Sequence, residues 1–240
     1  HAAERRIPVQ GELEITTACN FRCAHCYVSG MLNTERHEIN TDVACRVIDE
    51  VADAGCIWLL ITGGEPLLHR GFRRLWKHAI GRGLRLSLFT NGSMLSDDTL
   101  AFLQDFPPET LEVSVYSLQC ATFDAVTGTT GQHRKLMALI PKLHRKAFDV
   151  VLKTPLLKLN HDEVPDIEDI ASQYGFGFRM DAIIHPPVSG SLAPVEHRIP
   201  AERAASLAMR QPAIRNQLRC AYHDATVPFD DKTGILPCSA

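Results

Sequence analysis

The stretch Cys19-Asn-Phe-Arg-Cys23-Ala-His-Cys26 places three thiols on one short loop, directly after a strand-like run from Glu12 to Thr17. Thiols this close in sequence can serve one metal centre, and soft thiolates select zinc, copper(I) or iron–sulfur clusters. A four-iron cubane takes four ligands, and this loop offers three. Where no fourth thiol joins, one iron stays open to bind a ligand and do chemistry.

Working outward from that loop, strand-like and helix-like segments alternate. Runs led by β-branched, leucine or aromatic residues lie at 12–17, 57–62, 84–90, 111–117, 149–155 and 176–184. Helical stretches fall at 41–55, 70–82, 97–105, 132–147, 162–174 and 201–218. The first has Val43, Val47, Ile48 and Val51 at helical spacing behind Thr41 as N-cap. Such alternation predicts parallel strands joined by helical crossovers. Six βα units suit an incomplete (β/α)6 TIM-like barrel better than a closed eightfold one. A chain of 240 residues, 45% of them hydrophobic, builds one large core. The expected division is a barrel over residues 1–200 and a C-terminal helix with a cysteine-bearing extension over 201–240.

Barrels of this kind carry their functional groups on loops at the carboxyl ends of the strands. The thiol loop follows the first strand. The second, Ile57-Trp-Leu-Leu-Ile61, runs into Thr62-Gly63-Gly64-Glu65-Pro66, where two glycines permit close backbone approach and Glu65 can accept from an ammonium. The plain alternative is a strand-to-helix turn with a surface Glu. The third strand ends at Thr90-Asn91-Gly92, also an ordinary turn sequence. All three stations share one rim. In the fourth strand Leu111, Val113 and Val115 are expected to face the helices, leaving Glu112, Ser114 and Tyr116 inside the barrel. Polar side chains there point either to a ligand cavity or to an internally satisfied network. Lys153, Arg179 and Asp181 add charges to the same interior, where they must pair with one another or meet a ligand.

Net charge is −3 with mixed signs, without the broad basic footprint of nucleic-acid binding. The local runs Arg70–Arg74 and Arg134–Lys146 read as solvated helix faces, the first also suited to an acidic peptide. No secretory segment and no apolar run long enough to span a bilayer is visible. The eight cysteines cluster as for metal and not as a disulfide framework, which fits a reducing cytoplasm. Cys45 and Cys56 read as small buried hydrophobes, and Cys120 as a free thiol in a loop.

The CxxxCxxC spacing with His25 before the third Cys, followed by Gly63-Gly64-Glu65-Pro66, resembles the radical S-adenosylmethionine (radical SAM) enzymes. The resemblance implies a partial barrel and a [4Fe-4S] cluster on Cys19, Cys23 and Cys26. Its fourth iron would be chelated by the amine and carboxylate of S-adenosyl-L-methionine. Reduction would then cleave the cofactor to a 5′-deoxyadenosyl radical that abstracts a substrate hydrogen. It places His25, Gly63, Gly64, Glu65 and Pro66 at the cofactor, with Thr90, Asn91 and Ser114 as further contacts. Tyr116, Lys153 and Asp181 are the candidates for a catalytic role.

Tyr116-Ser-Leu-Gln-Cys-Ala-Thr-Phe-Asp-Ala-Val-Thr-Gly128, Leu152-Lys-Thr-Pro155 and Phe178-Arg-Met-Asp181 are similar to the peptide-modifying branch. Cys220 and Cys238, flanking a turn at Asp231-Lys-Thr-Gly234, look like the opening of a SPASM domain, which holds an auxiliary [4Fe-4S] cluster. Three residues, not the commoner four, separate Gly234 from Cys238, and a simple hairpin with free cysteines is the alternative. The implied partners are a ribosomally made peptide, an electron donor such as flavodoxin or ferredoxin, and a separate leader-peptide-binding protein, since no such domain precedes residue 11. Neither nucleic acid nor membrane is implied. Two other readings stand: radical SAM chemistry on a tetrapyrrole or small metabolite, and a non-catalytic metal module that recruits His25 or His37.

Overall fold

The computed structural model describes residues 7–33, 38–186 and 190–208. Six parallel strands form one sheet in sequence order: β1 (Gln10–Glu14), β2 (Trp58–Thr62), β3 (Arg85–Thr90), β4 (Thr110–Ser114), β5 (Val150–Pro155) and β6 (Gly177–Asp181). Parallel neighbours cannot be joined by tight turns, so each connection crosses the sheet through helix. These are α1 (Thr41–Asp53), α2 (Phe72–Gly81), α3 (Asp97–Asp105), α4 (Cys120–Thr127), α5 (Gln132–Arg145) and α6 (Val164–Gln173), and α7 (Ala201–Ala208) follows β6. The sheet does not close, giving the partial (β/α)6 barrel expected.

The core lies between sheet and helices. Leu59 and Ile61, Leu86 and Leu88, Leu111 and Val113, and Val150 and Leu152 turn the same way and are buried. They join Ile48, Leu75, Trp76, Leu100, Leu103, Leu139, Leu143 and Ile167 from the helices in one apolar cluster. The period-two alternation read from β4 is therefore the orientation observed.

Several boundaries differ from the sequence reading. β1 begins at Gln10 and ends at Glu14, although Ile15 N–H still donates to the Thr62 carbonyl at 3.0 Å. β4 stops at Ser114 and β6 at Asp181. The cap of α1 is Asn40 and not Thr41: its side chain accepts from the N–H groups of Asp42 and Val43, and Thr41 is the first helical residue. Cys120 opens helix α4 instead of lying in a loop. That helix is short and its apolar residues bury mostly around Phe123 and Val126, so it gives no long amphipathic stripe to read. Short 3-10 turns at Pro66–Leu68 and Ala193–His197 were not anticipated either. The expected helix over 201–218 is seen as far as Ala208. Its remainder, His37, the turn at 231–234, Cys220 and Cys238 lie outside the described residues.

Candidate functional site

The thiol loop is fixed by three neighbours before any metal is considered. At its first cysteine, Cys19 N–H donates to Asn33 Oδ1 at 3.2 Å and Asn33 Nδ2 returns a bond to the Cys19 carbonyl at 3.0 Å. On the β3 side, Asn91 Nδ2 donates to Asn20 Oδ1 at 2.9 Å, Asn20 Nδ2 to Ser93 Oγ at 2.8 Å, and Ser93 Oγ to Asn91 Oδ1 at 2.6 Å. This closed ring ties the loop to the end of β3. Around Cys23, the N–H groups of Arg22 and Ala24 donate to the carbonyls of Thr127 and Val126, both at 2.8 Å.

The glycines of 63–64 are required by packing within the chain. Gly63 has φ +141, and a Cβ there would lie 2.3 Å from the Thr16 carbonyl oxygen; one on Gly64 would lie 2.4 Å from that of Ala18. In return, Gly64 N–H donates to Thr16 and Glu65 N–H to Ala18, each at 2.8 Å. The segment after β2 is thus zipped onto the strand-to-loop transition that leads to Cys19.

Glu65 is fully buried. Its carboxylate accepts from Thr90 Oγ1 at 2.8 Å, Asn91 N–H at 2.8 Å and Leu67 N–H at 3.2 Å. Burial pushes its acid up to about 7 despite those donors. The structure therefore brings the Thr90 hydroxyl and the Asn91 N–H to Glu65, where they position the carboxylate, while the Asn91 side chain turns to Asn20.

Tyr116 packs against the loop, not in open space. Its ring lies 6.3 Å from Phe21, 5.8 Å from Phe123 and 5.6 Å from His25. Burial pushes its hydroxyl well above the usual tyrosine range, and the nearby Cys23 thiol adds to that. Lys153 pairs with Asp181 at 2.7 Å and Arg179 with Glu112 at 2.9 Å. Lys153 Nζ and Arg179 Cζ sit 5.0 and 5.1 Å from the centre of the Phe89 ring. The interior charges thus meet one another across β3 to β6.

The donor set fits an iron–sulfur centre. Burial pushes the Cys19 thiol up to about 11 and Cys23 to about 12, and raises Cys26 as well. As free thiols they hold their protons, and a metal that replaces those protons removes the penalty of a buried anion. A donor already faces one of the sulfurs: Phe21 N–H reaches Cys19 at 3.4 Å. Among the described residues no three His, Cys, Asp or Glu side chains converge to hold a single ion. A cubane binds each thiolate at a different iron and does not require that convergence. His25 is buried beside Tyr116 with Nδ1 unpartnered, and burial lowers its pKa to about 4, so it is a neutral imidazole at the rim.

An open, parallel half-barrel with a three-thiol loop and a Gly-Gly-Glu turn on one rim defines an α/β-barrel protein built around an iron–sulfur centre. The chain belongs to the radical SAM superfamily, whose family model matches residues 13–171. It is similar to the AdoMet-dependent heme synthase of Methanosarcina barkeri, with 30% identity over 68% of this chain and 46% of that protein. It is also similar to the sporulation killing factor maturation protein SkfB of Bacillus subtilis, with 28% identity over 72% of this chain and 42% of that one. The chain spans less than half the length of these relatives. In fold it resembles Streptococcus suis SuiB bound to S-adenosylmethionine, with a TM-score of 0.65 at 16% identity, covering 75% of this chain and 42% of that chain. Family membership implies a [4Fe-4S] cluster and S-adenosylmethionine.

The sequence reading missed α4 and Glu163. The Glu163 carboxylate accepts from Ser117 Oγ at 2.6 Å and from the N–H groups of Leu118 at 2.8 Å and Gln119 at 3.2 Å. Only distance in the fold, not sequence proximity, relates it to the loop.

Proposed function

We propose that this chain carries the catalytic barrel of a radical SAM enzyme that modifies a ribosomally made peptide, with Cys19, Cys23 and Cys26 as the cluster ligands. The observation that carries the reading is the convergence of the thiol loop, Gly63–Glu65 and the β3 terminus on one rim of a family-matched barrel. When bound, the cluster and S-adenosylmethionine supply reductive cleavage of the sulfonium and a carbon radical that takes a hydrogen from the substrate. The chain's own work is placement. Asn33, Asn91 and the α4 carbonyls hold the thiol loop, and the backbone of 63–65, backed by buried Glu65, would hold the ammonium end of the cofactor. His25 and Tyr116 form an apolar wall beside Cys23 that excludes water. Lys153 and Asp181 stand below the rim as candidates to contact cofactor or substrate.

A peptide substrate is supported by the likeness to SkfB, by PqqA peptide cyclases among the relatives, and by a fold shared with SuiB bound to the precursor peptide SuiA. A tetrapyrrole is the second reading, favoured by the heme synthase at 30% identity. The interior charges weigh against it. Among the described residues both interior cations, Lys153 and Arg179, are already paired with carboxylates, so neither is free to meet an acidic macrocycle. An auxiliary cluster involving Cys220 and Cys238, an electron donor of the flavodoxin or ferredoxin kind, a leader-binding partner and a cytoplasmic location complete the proposal. No helix among the described residues is long and apolar enough to cross a membrane.

The test is anaerobic reconstitution with iron and sulfide, then dithionite and S-adenosylmethionine, with 5′-deoxyadenosine followed by mass spectrometry. The parent should form it and Cys23→Ala should not. Equal formation by both would remove Cys23 from the ligand set.

A further inference from the structure

The loop residues on either side of Cys23 depend on an element that shares neither strand nor sequence neighbourhood with them. Arg22 and Ala24 give their N–H groups to the carbonyls of Thr127 and Val126, each at 2.8 Å. Those carbonyls belong to the last turn of α4 and have no acceptor role inside the helix, so they are free to take outside donors. Gly128 ends the helix in the left-handed region, φ +63, and a Cβ on it would lie 3.0 Å from the Arg22 carbonyl oxygen and 3.2 Å from Arg22 Cβ. The helix is itself anchored. Phe123 packs edge-on to Phe21 in the loop at 6.2 Å and to His133 of α5 at 5.6 Å. His133 meets the Leu118 carbonyl at 2.8 Å, and Glu163 gathers the N–H groups of Leu118 and Gln119 at the helix entrance.

From this geometry we infer that α4 is a clamp on the middle cluster ligand and that Gly128 is its positioning residue. The clamp fixes the backbone on both sides of Cys23, so the thiol is held in register with Cys19 and Cys26 before any iron arrives. A residue with a side chain at 128 pushes on Arg22 and opens the two carbonyl contacts, which loosens Cys23 without touching a sulfur. The inference rests on reading Cys19, Cys23 and Cys26 as cluster ligands.

Gly131 supplies the control. It too has positive φ, +74, but a Cβ there meets nothing within 4 Å. Gly128→Ala and Gly131→Ala therefore impose the same kind of backbone strain, and only the first presses on the thiol loop. Gly128→Asn adds a third arm, because Asn tolerates the left-handed region while keeping the offending Cβ.

The full chain is reconstituted anaerobically and reduced. Loss of the electron paramagnetic resonance signal that shifts on adding S-adenosylmethionine is then followed during incubation with an iron chelator. That shift reports the cluster with an open iron, whatever Cys220 and Cys238 hold. Thermal unfolding of the metal-free chains is measured in parallel. Gly128→Ala and Gly128→Asn should both lose the signal about tenfold faster than the parent, and Gly131→Ala at the parent rate. The two alanine variants should unfold at similar temperatures. Equal signal loss in all four chains overturns the clamp, as does loss that simply follows thermal stability. A parent that never shows the shifting signal overturns the ligand assignment and the clamp together.

Discussion

Glu65 is a carboxylate surrounded by donors that suit its charged form, yet buried so completely that its acid is pushed up to about 7. Its folded pKa lies above its ordinary value of 4.5, so the fold binds this proton more tightly than the unfolded chain does. The stability it contributes is fully present below about pH 4.5 and is lost as pH rises through about 7. Over that window the metal-free chain should lose on the order of 3 kcal/mol from this group. Glu65→Gln should flatten the fall, as measured by urea unfolding at a series of pH values. Equal slopes in the two chains would show that the site is better solvated than its burial implies. Two residues upstream, Gly63→Ala places a Cβ against the Thr16 carbonyl oxygen at φ +141. It should destabilise by about 2–4 kcal/mol, because a backbone oxygen cannot rotate away as a side chain would. A melting temperature equal to the parent's would contradict the zipped contact between 63–65 and 16–18.

At the scale of the element, α4 shows how a short helix without a regular apolar stripe acquires its position. One carboxylate, Glu163, fixes its entrance, one aromatic, Phe123, fixes its face, and a left-handed glycine fixes its exit. Removing the carboxylate leaves the Leu118 N–H short of an acceptor, while the Gln119 N–H keeps Ser117 Oγ at 2.8 Å and the Ser117 hydroxyl keeps the Gln119 carbonyl at 3.0 Å. Glu163→Ala should therefore destabilise the chain by about 2 kcal/mol. Glu163→Gln, which keeps an acceptor oxygen, should recover roughly half of that. Hydrogen exchange of the Leu118 amide reads the same event locally, and unchanged protection in the Ala variant would show that another group holds the turn. The start of α1 has the same logic in simpler form. Asn40 outcompetes Thr41 as the cap because its side-chain oxygen reaches two free N–H groups, those of Asp42 and Val43.

Across the described residues, one face of the sheet is apolar and covered by helices while the other carries the ion pairs Lys153–Asp181 and Arg179–Glu112. Arg179 and Glu112 illustrate what that asymmetry demands. Glu112 is 8% exposed, and its acid is raised by burial although Arg179 and Lys153 pull it back. Arg179→Met should destabilise by about 1–3 kcal/mol by stranding that carboxylate. The double variant Arg179→Met with Glu112→Leu should recover most of the loss, since neither charge then remains to be solvated. A double-mutant cycle on thermal unfolding decides this, and additive losses would mean that the pair is not coupled.

The strand order, the open barrel and the rim that carries Cys19, Cys23, Cys26 and Gly63–Glu65 were determined by the sequence, because alternating periodicities and clustered thiols are local signals. The inward set Glu112, Ser114 and Tyr116 was legible for the same reason, since a strand's faces follow from its period of two. Tertiary structure alone decided what those inward groups meet. It paired Lys153 with Asp181 and Arg179 with Glu112, brought the Thr90 hydroxyl and the Asn91 N–H to Glu65, and set the end of α4 against the backbone around Cys23. Each of these contacts joins residues far apart in the chain and depends on distances that only the closed packing of the helices onto the sheet can set. The glycines at 63 and 64 stand between the two cases. Their freedom was visible in the sequence, but that the close neighbour is the chain's own backbone at Thr16 and Ala18 follows only from the way β1 and β2 lie side by side.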